Sequence, residues 1–226
     1  MKVALFTLTK DRLEYTKRTF ESLTKKTHVS YDHFILDQNS KDGTVKWLEQ
    51  FTHQLGKCYV YPLTLNIGIN RGVNFIIEKI GKEYDIIVKI DNDVEIKTDG
   101  WLQKCLSVLD KKMLISPFVK GLIDNREGVG RIGLDKKKLV GWTSFIGGIC
   151  MIGFRRAWSE DSGGWEFPVP KHAGGDRSFC KKLSLVGYRF GYKEDVVIRH
   201  IDTTAGQREK YKGYFSLRKQ ERVNII

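Results

Sequence analysis

The first hundred residues predict an α/β fold, a mostly parallel sheet flanked by helices, followed by a smaller, irregular region. Apolar runs of strand character alternate with amphipathic helical stretches. The strand runs are continuously apolar, as expected where helices cover both faces of a parallel sheet. Polar clusters close the runs at their carboxyl ends, where open α/β sheets bind ligands.

"VALFTLT" (3–9) reads as the first strand. "DRLEYTKRTFESL" follows as a helix, with Leu13, Thr16, Phe20 and Leu23 at helical spacing and Asp11 with Glu14 resembling a capping box. "HFILD" (33–37) is the second strand and "QNSKDGT" a turn. Val45, Leu48, Phe51 and Leu55 then mark a second helix. "CYVYPL" (58–63) is a strand, Val73, Ile76, Ile77 and Ile80 mark a helix, and "DIIVKI" (85–90) is the fourth strand. In the second half, "LISPFV" (114–119) reads as a strand and residues 120–142, glycine-bearing and carrying Lys136-Lys137-Lys138, as a loop. "SFIGGICMIGF" (144–154) is an interior strand or hairpin, "RSFCKKLSLVG" a short helix, and "YRFGY" and "VVIRH" two strands. The chain ends in a basic, aromatic-bearing tail.

The 226 residues, 41% hydrophobic, suffice for one domain: a regular first half (1–98), a less regular second half (99–204) and the tail (205–226). The four scattered cysteines form no CxxC pair, so neither a zinc site nor a redox pair is expected. The N-terminus does not read as a signal peptide, and "FIGGICMIGF" is too short to span a bilayer. A soluble cytoplasmic protein without a transmembrane segment is expected; a peripheral membrane location stays open. The net charge of +12 favours a polyanionic partner, although a generally basic surface would give the same figure.

The run "DIIVKIDNDVEI" (85–96) poses the chemical question. A buried strand ends in Asp91 and Asp93, which repel unless a cation or strong donors compensate them. At the ligand side of such a sheet, the pair suits one divalent cation, Mg2+ or Mn2+, that also binds substrate phosphates. Neither a P-loop nor a G-x-G-x-x-G follows the first strand, so a metal held there would take over phosphate binding.

These segments resemble the family 2 glycosyltransferases of the GT-A fold over roughly residues 2–200. The likeness runs in order through "ALFTLTKDRLEYTKRTFESL", "ILDQNSKDGT", "NIGINRGVN" with Asn66, Gly68 and Asn74, "KIDNDVEI" and "RRAWSEDSGGW". The family places an acid, its catalytic base, eleven residues before a Gly-aromatic pair; counting back from Gly187-Tyr188 gives Asp176. Gly175 and Ser178 stand where the family often carries further acids. Capping of a helix is the other reading of Asp176.

The resemblance implies a metal-dependent, inverting transferase using a nucleotide-diphosphate sugar, a UDP-sugar such as UDP-glucose, with residues 1–98 as the nucleotide-sugar-binding half and 99–204 as the acceptor and catalytic half. Asp93 would be the primary metal ligand, with Asp91 near the ribose or metal and His200 near the metal or diphosphate. Thr7 and Thr9 would line the nucleotide pocket, and Asp37 would meet the base or ribose. Gln38 replaces a usual second acid. Asn66 belongs to the matched pattern, Arg71 lies where it could meet the nucleotide, and Trp165 could pack on a sugar or in the core. Lys136–Lys138, Lys171, Arg177, Lys181, Lys182 and the tail, with Tyr211, Tyr214 and Phe215, point to a polyanionic acceptor. Hydroxymethylated DNA and an anionic glycan or lipid at a membrane surface both answer that description. A nucleotidyltransferase and a non-catalytic sugar- or nucleic-acid-binding module are the rival readings.

Overall fold

A computed structural model describes residues 1–121, 131–165 and 175–201. Lys171, His172 and the tail lie outside them. Strand β1 (Val3–Thr9), helix α1 (Leu13–Lys26), β2 (Asp32–Asp37), α2 (Thr44–Leu48), β3 (Cys58–Pro62), α3 (Ile69–Lys79) and β4 (Ile86–Ile90) follow the expected alternation. Next come β5 (Val94–Ile96), α4 (Trp101–Leu106), β6 (Met113–Lys120), β7 (Arg131–Asp135), β8 (Val140–Thr143) and β9 (Cys150–Phe154). The short α5 (Arg155–Trp158), then α6 (Gly175–Leu185) and β10 (Arg189–His200), complete the described chain.

All ten strands form one sheet in the order β3-β2-β1-β4-β9-β6-β10-β8-β7, with β5 paired to β10. The β3-β2-β1-β4 half is parallel, whereas β9 runs antiparallel to β4 and β6. From β1 the chain passes to β2 on one side and later to β4 on the other. That reversal opens a crevice beyond the carboxyl ends of β1 and β4, the usual ligand position in open α/β sheets. Two apolar layers sandwich the sheet. One contains Phe6, Leu36, Ile76, Trp158 and Phe179, the other Leu5, Val88, Trp101 and Ile152.

Four expectations change. Asp11 does not cap α1, because Arg12 is the N-cap residue and both are left-handed (φ 54° and 63°). The Leu13 N–H instead donates to Asp42 Oδ2 at 2.7 Å, a cap supplied by the neighbouring turn. Helix α2 stops at Leu48; Phe51 leaves it to pack on Phe20 and Trp47. Residues 131–143 form a hairpin rather than a loop, with Lys136–Lys138 in its turn, because β8 has β10 to pair with. "YRFGY" and "VVIRH" are one strand, β10, whose register shift between Lys193 and Val197 absorbs the intervening polar residues.

His33 and His53 sit in an aromatic cluster with Tyr31, Phe20 and Phe51. Burial pushes both imidazoles below their ordinary 6.5, His33 strongly, and no protein acceptor among the described residues takes its Nδ1. Below pH 6.5 the unfolded chain takes up these protons while the folded one resists them, so stability falls as pH falls through that value. A urea midpoint clearly lower at pH 5 than at pH 7.5 is the expected result; equal midpoints would contradict it.

Candidate active site

The loops after β1 and β2 are laced together at the crevice. Asp11 N–H donates to Ser40 Oγ (2.6 Å), and Lys41 N–H donates to Asp11 Oδ1 (2.7 Å). This bracing directs the Arg12 side chain across to the end of β4. Arg12 Nη1 donates to Asp93 Oδ2 (2.8 Å) and Nη2 to Asn92 Oδ1 (3.2 Å). His200, the last residue of β10, places Nε2 3.3 Å from the same Asp93 oxygen. Burial acts to raise the Asp93 carboxyl, but the His200 hydrogen bond and the Arg12 charge outweigh it and hold the group far below the usual carboxylate range.

Asp91 has a different partner. Lys89, on the same face of β4 and 3% exposed, donates to both Asp91 Oδ1 and the Gly148 carbonyl. Burial pushes the Asp91 carboxyl up, Lys89 opposes that, and Asp93 adds to it; the 38% exposure of the side chain limits the shift. The Gly148 N–H donates to Asp176 Oδ2 at 3.0 Å. The chain Asp91–Lys89–Gly148–Asp176 therefore joins the two candidate chemical centres. Lys89→Met should lower stability by about 1–3 kcal/mol, because Asp91 and the Gly148 carbonyl lose their shared donor and Asp91 is left beside Asp93 without its cation; the 38% exposure of Asp91 limits the loss. Sugar transfer should fall about tenfold or more as the Gly148 peptide loses its tether. Melting and turnover measured on one preparation test this; unchanged turnover would remove Lys89 from the site.

Asp176 lies in the first turn of α6, and its Oδ1 accepts the Arg177 N–H (2.8 Å). A Cβ at Gly175 would fall 2.0 Å from Asn70 Oδ1 and 2.7 Å from the Trp165 ring. With Asn70 and Trp165 in these positions there is no room for a side chain before Asp176, in keeping with the glycine found there. Asn74 holds the Gly-Gly-aromatic turn by two bonds, accepting from Trp165 N–H (2.8 Å) and donating to its carbonyl (2.9 Å). Gly163 and Gly164 allow that turn with φ of 66° and 82°. Tyr188 of the Gly-aromatic pair donates to Asp161 (2.7 Å), which Lys112 and Arg156 also meet, holding that carboxyl near 2.

Other expected site residues are placed less openly. Thr7 is fully buried and shares a 3.0 Å hydrogen bond with His33 Nε2. Trp165 is 4% exposed and packs on Phe179 with ring centroids 5.5 Å apart. Thr9 donates to Asp37 Oδ2 (2.8 Å), and Ser40 donates to both Asp37 oxygens. Asn66 Oδ1 accepts the Gly68 N–H at the start of α3 (2.9 Å), and Arg71 is exposed on that helix. The buried Gln38 Oε1 and Asn70 Nδ2 have no hydrogen-bond partner among the described residues. Sequence reasoning missed Arg12 and Lys89. Lys89 carried a signal, a lysine inside an apolar strand; Arg12 carried none, since its partners lie some eighty residues away.

The sheet and its flanking helices are those of the GT-A fold. The chain belongs to glycosyl transferase family 2, whose model matches residues 5–184. A search of curated proteins by sequence finds no match. Among solved structures, the chain is similar to a Pyrobaculum calidifontis mannosyltransferase bound to GDP-Man and Mn2+ (18% identity, TM-score 0.72, covering 92% of this chain and 59% of that one). GalNAc-T7 with UDP, GalNAc and Mn2+ gives 14%, 0.70, 88% and 44%. Staphylococcus aureus TarS 1–349 with UDP-GlcNAc gives 16%, 0.67, 90% and 59%. The chain thus spans 44–59% of the length of these proteins, and at such identities the likeness concerns the fold. All four cysteines are free. Among the described residues, no helix is long and apolar enough to cross a membrane.

Proposed function

We propose that the chain is a metal-dependent, inverting glycosyltransferase that moves a sugar from a UDP-sugar to a hydroxyl of a polyanionic acceptor. The observation that carries this reading is the placement of Asp93 Oδ2 and His200 Nε2 3.3 Å apart at the strand ends. Among the described residues no three carboxylate, imidazole or thiol groups form an all-protein cage. One carboxylate and one imidazole nevertheless fit Mn2+ or Mg2+, which keep waters and take donor phosphates for their remaining positions. Asp93 and His200 would hold the ion, with Asp91 beside it; when bound, it supplies Lewis-acid stabilisation of the departing diphosphate. Thr9, Asp37, Asn66 and Arg71 are assigned to the nucleotide side. Asp176 takes the proton from the acceptor hydroxyl as that oxygen attacks the anomeric carbon opposite the leaving group, which inverts its configuration.

The acceptor assignment rests on charge. Lys136–Lys138 project from the β7–β8 turn, and Arg177 and Lys181 flank Asp176 on α6. Hydroxymethylated DNA and an anionic glycan or lipid remain the two candidates. The exposed Ile132 and Leu134 on β7 favour the membrane-surface one.

Hydrolysis of UDP- and GDP-sugars, with manganese or with a chelator, tests the donor and metal assignments. UDP-sugar turnover that disappears with chelator is the expected result; metal-independent turnover, or none with any donor, would refute it. Transfer to hydroxymethylated duplex, against binding to anionic liposomes, decides the acceptor.

A further inference from the structure

Two carboxylates at one strand end need compensating charge, and here each has its own cation. Lys89 sits on Asp91 and Arg12 on Asp93. Arg12 and His200 address the same Asp93 oxygen, Oδ2. A divalent cation binding that oxygen beside His200 therefore meets a guanidinium, and like charges a few ångströms apart repel. The seat of Arg12 is built rather than incidental. Its side chain is 23% exposed and bonds Asn92 as well as Asp93. Asp11 and Arg12 take consecutive left-handed conformations, rare for non-glycine residues; from the adjoining turn Ser40 and Lys41 brace Asp11, and Asp42 accepts the N–H of Leu13, the residue after Arg12.

We propose that Arg12 is a resident counter-cation: it holds Asp93 while the site is empty and passes from Asp93 to the donor's diphosphate when metal and nucleotide enter together. A guanidinium suits this exchange because it pairs in the same forked geometry with carboxylate and phosphate oxygens. Metal alone is then opposed by Arg12, and an anionic nucleotide alone is assisted by it. With both bound, the displaced guanidinium gains a new anion, so each ligand tightens the other, and by the same factor. The inference rests on the metal-dependent reading above and adds to it a residue that sets the order of binding.

The test measures Mn2+ binding by the spin-resonance signal of the free ion and UDP binding by calorimetry, each with and without the other, on the full chain. In the wild type, Mn2+ alone should bind weakly and UDP should tighten it. In Arg12→Met, Mn2+ alone should bind about tenfold tighter or more, UDP alone about tenfold weaker, and the mutual enhancement should shrink. Opposite signs for the two ligands separate this role from a structural one, since a damaged site would lose both. Arg12→Gln, neutral yet able to hydrogen-bond Asn92, should shift in the same directions and serves if the methionine variant does not fold. Unchanged or weaker Mn2+ binding in the neutral variants overturns the proposal while leaving the metal-dependent reading intact. A wild type that binds neither ligand under any condition overturns that reading, and the proposal with it.

Discussion

Asp93→Ala should lose metal-dependent sugar transfer by about a thousandfold or more while the chain remains folded. A bound cation is worth several kcal/mol of leaving-group stabilisation, and each ~1.4 kcal/mol is tenfold in rate. Removing the carboxylate takes away the oxygen on which Arg12 and His200 converge. The fold has other supports at this point. The Asp93 carbonyl still accepts the Ile201 N–H (2.8 Å), the Val94 N–H still donates to Thr19, and Asn92 still donates to Thr16. Arg12 and His200 are partly exposed, so water can take the place of the lost partner. Turnover with manganese, set beside a melting curve and far-ultraviolet dichroism, distinguishes the outcomes. Full activity with unchanged manganese dependence would sink the metal assignment; loss of the folded signal would mean that the Arg12–Asp93–His200 cluster is chiefly structural.

The parallel half of the fold was legible because its signals are local. Continuous apolar runs set β1, β2 and β4, and helical spacing set α1 and α3. The antiparallel half depends on pairing between distant residues. Val140–Thr143 become a strand only because Phe190–Lys193 lie alongside. In the same way, Asp11 and Glu14 satisfied a capping pattern that Asp42, from another turn, pre-empted. At the site, residues on one strand end could be read together: Asp91 and Asp93 sit two apart and face one crevice. The convergence of His200 on Asp93 spans more than a hundred residues and was read through likeness alone, without a local signal. Arg12 escaped notice because nothing in its neighbourhood shows that it bridges to β4. Thr7 and Thr9 lie two positions apart on the same face, yet their hydroxyls meet different partners, His33 and Asp37, which no local pattern separates.

Asp176→Asn should retain donor binding and lose transfer by about a hundredfold or more, the usual contribution of a positioned general base. The substitution is informative because it separates the two readings of this residue. As a helix-capping group, asparagine is nearly the equal of aspartate, so a capping role predicts an ordinary melting temperature and ordinary turnover. As a base the two differ completely, since a neutral amide cannot take the acceptor's proton. Asparagine keeps one of the two bonds: its amide oxygen can accept the Gly148 N–H in place of Asp176 Oδ2, which holds the Gly147-Gly148 loop and its Lys89 contact near their present positions. The Arg177 N–H, in the first turn of the helix, loses its acceptor to the amide NH2 and turns to water. Residual transfer would come from positioning and from electrostatic stabilisation of the leaving group, both of which the substitution leaves in place. Titration with UDP and manganese, alongside single-turnover transfer, makes the measurement. Wild-type transfer in the variant would reduce Asp176 to a helix-end residue. Comparable losses of donor affinity and transfer would place its role in holding the Gly148 loop, and with it the Lys89–Asp91 side of the crevice, rather than in moving a proton.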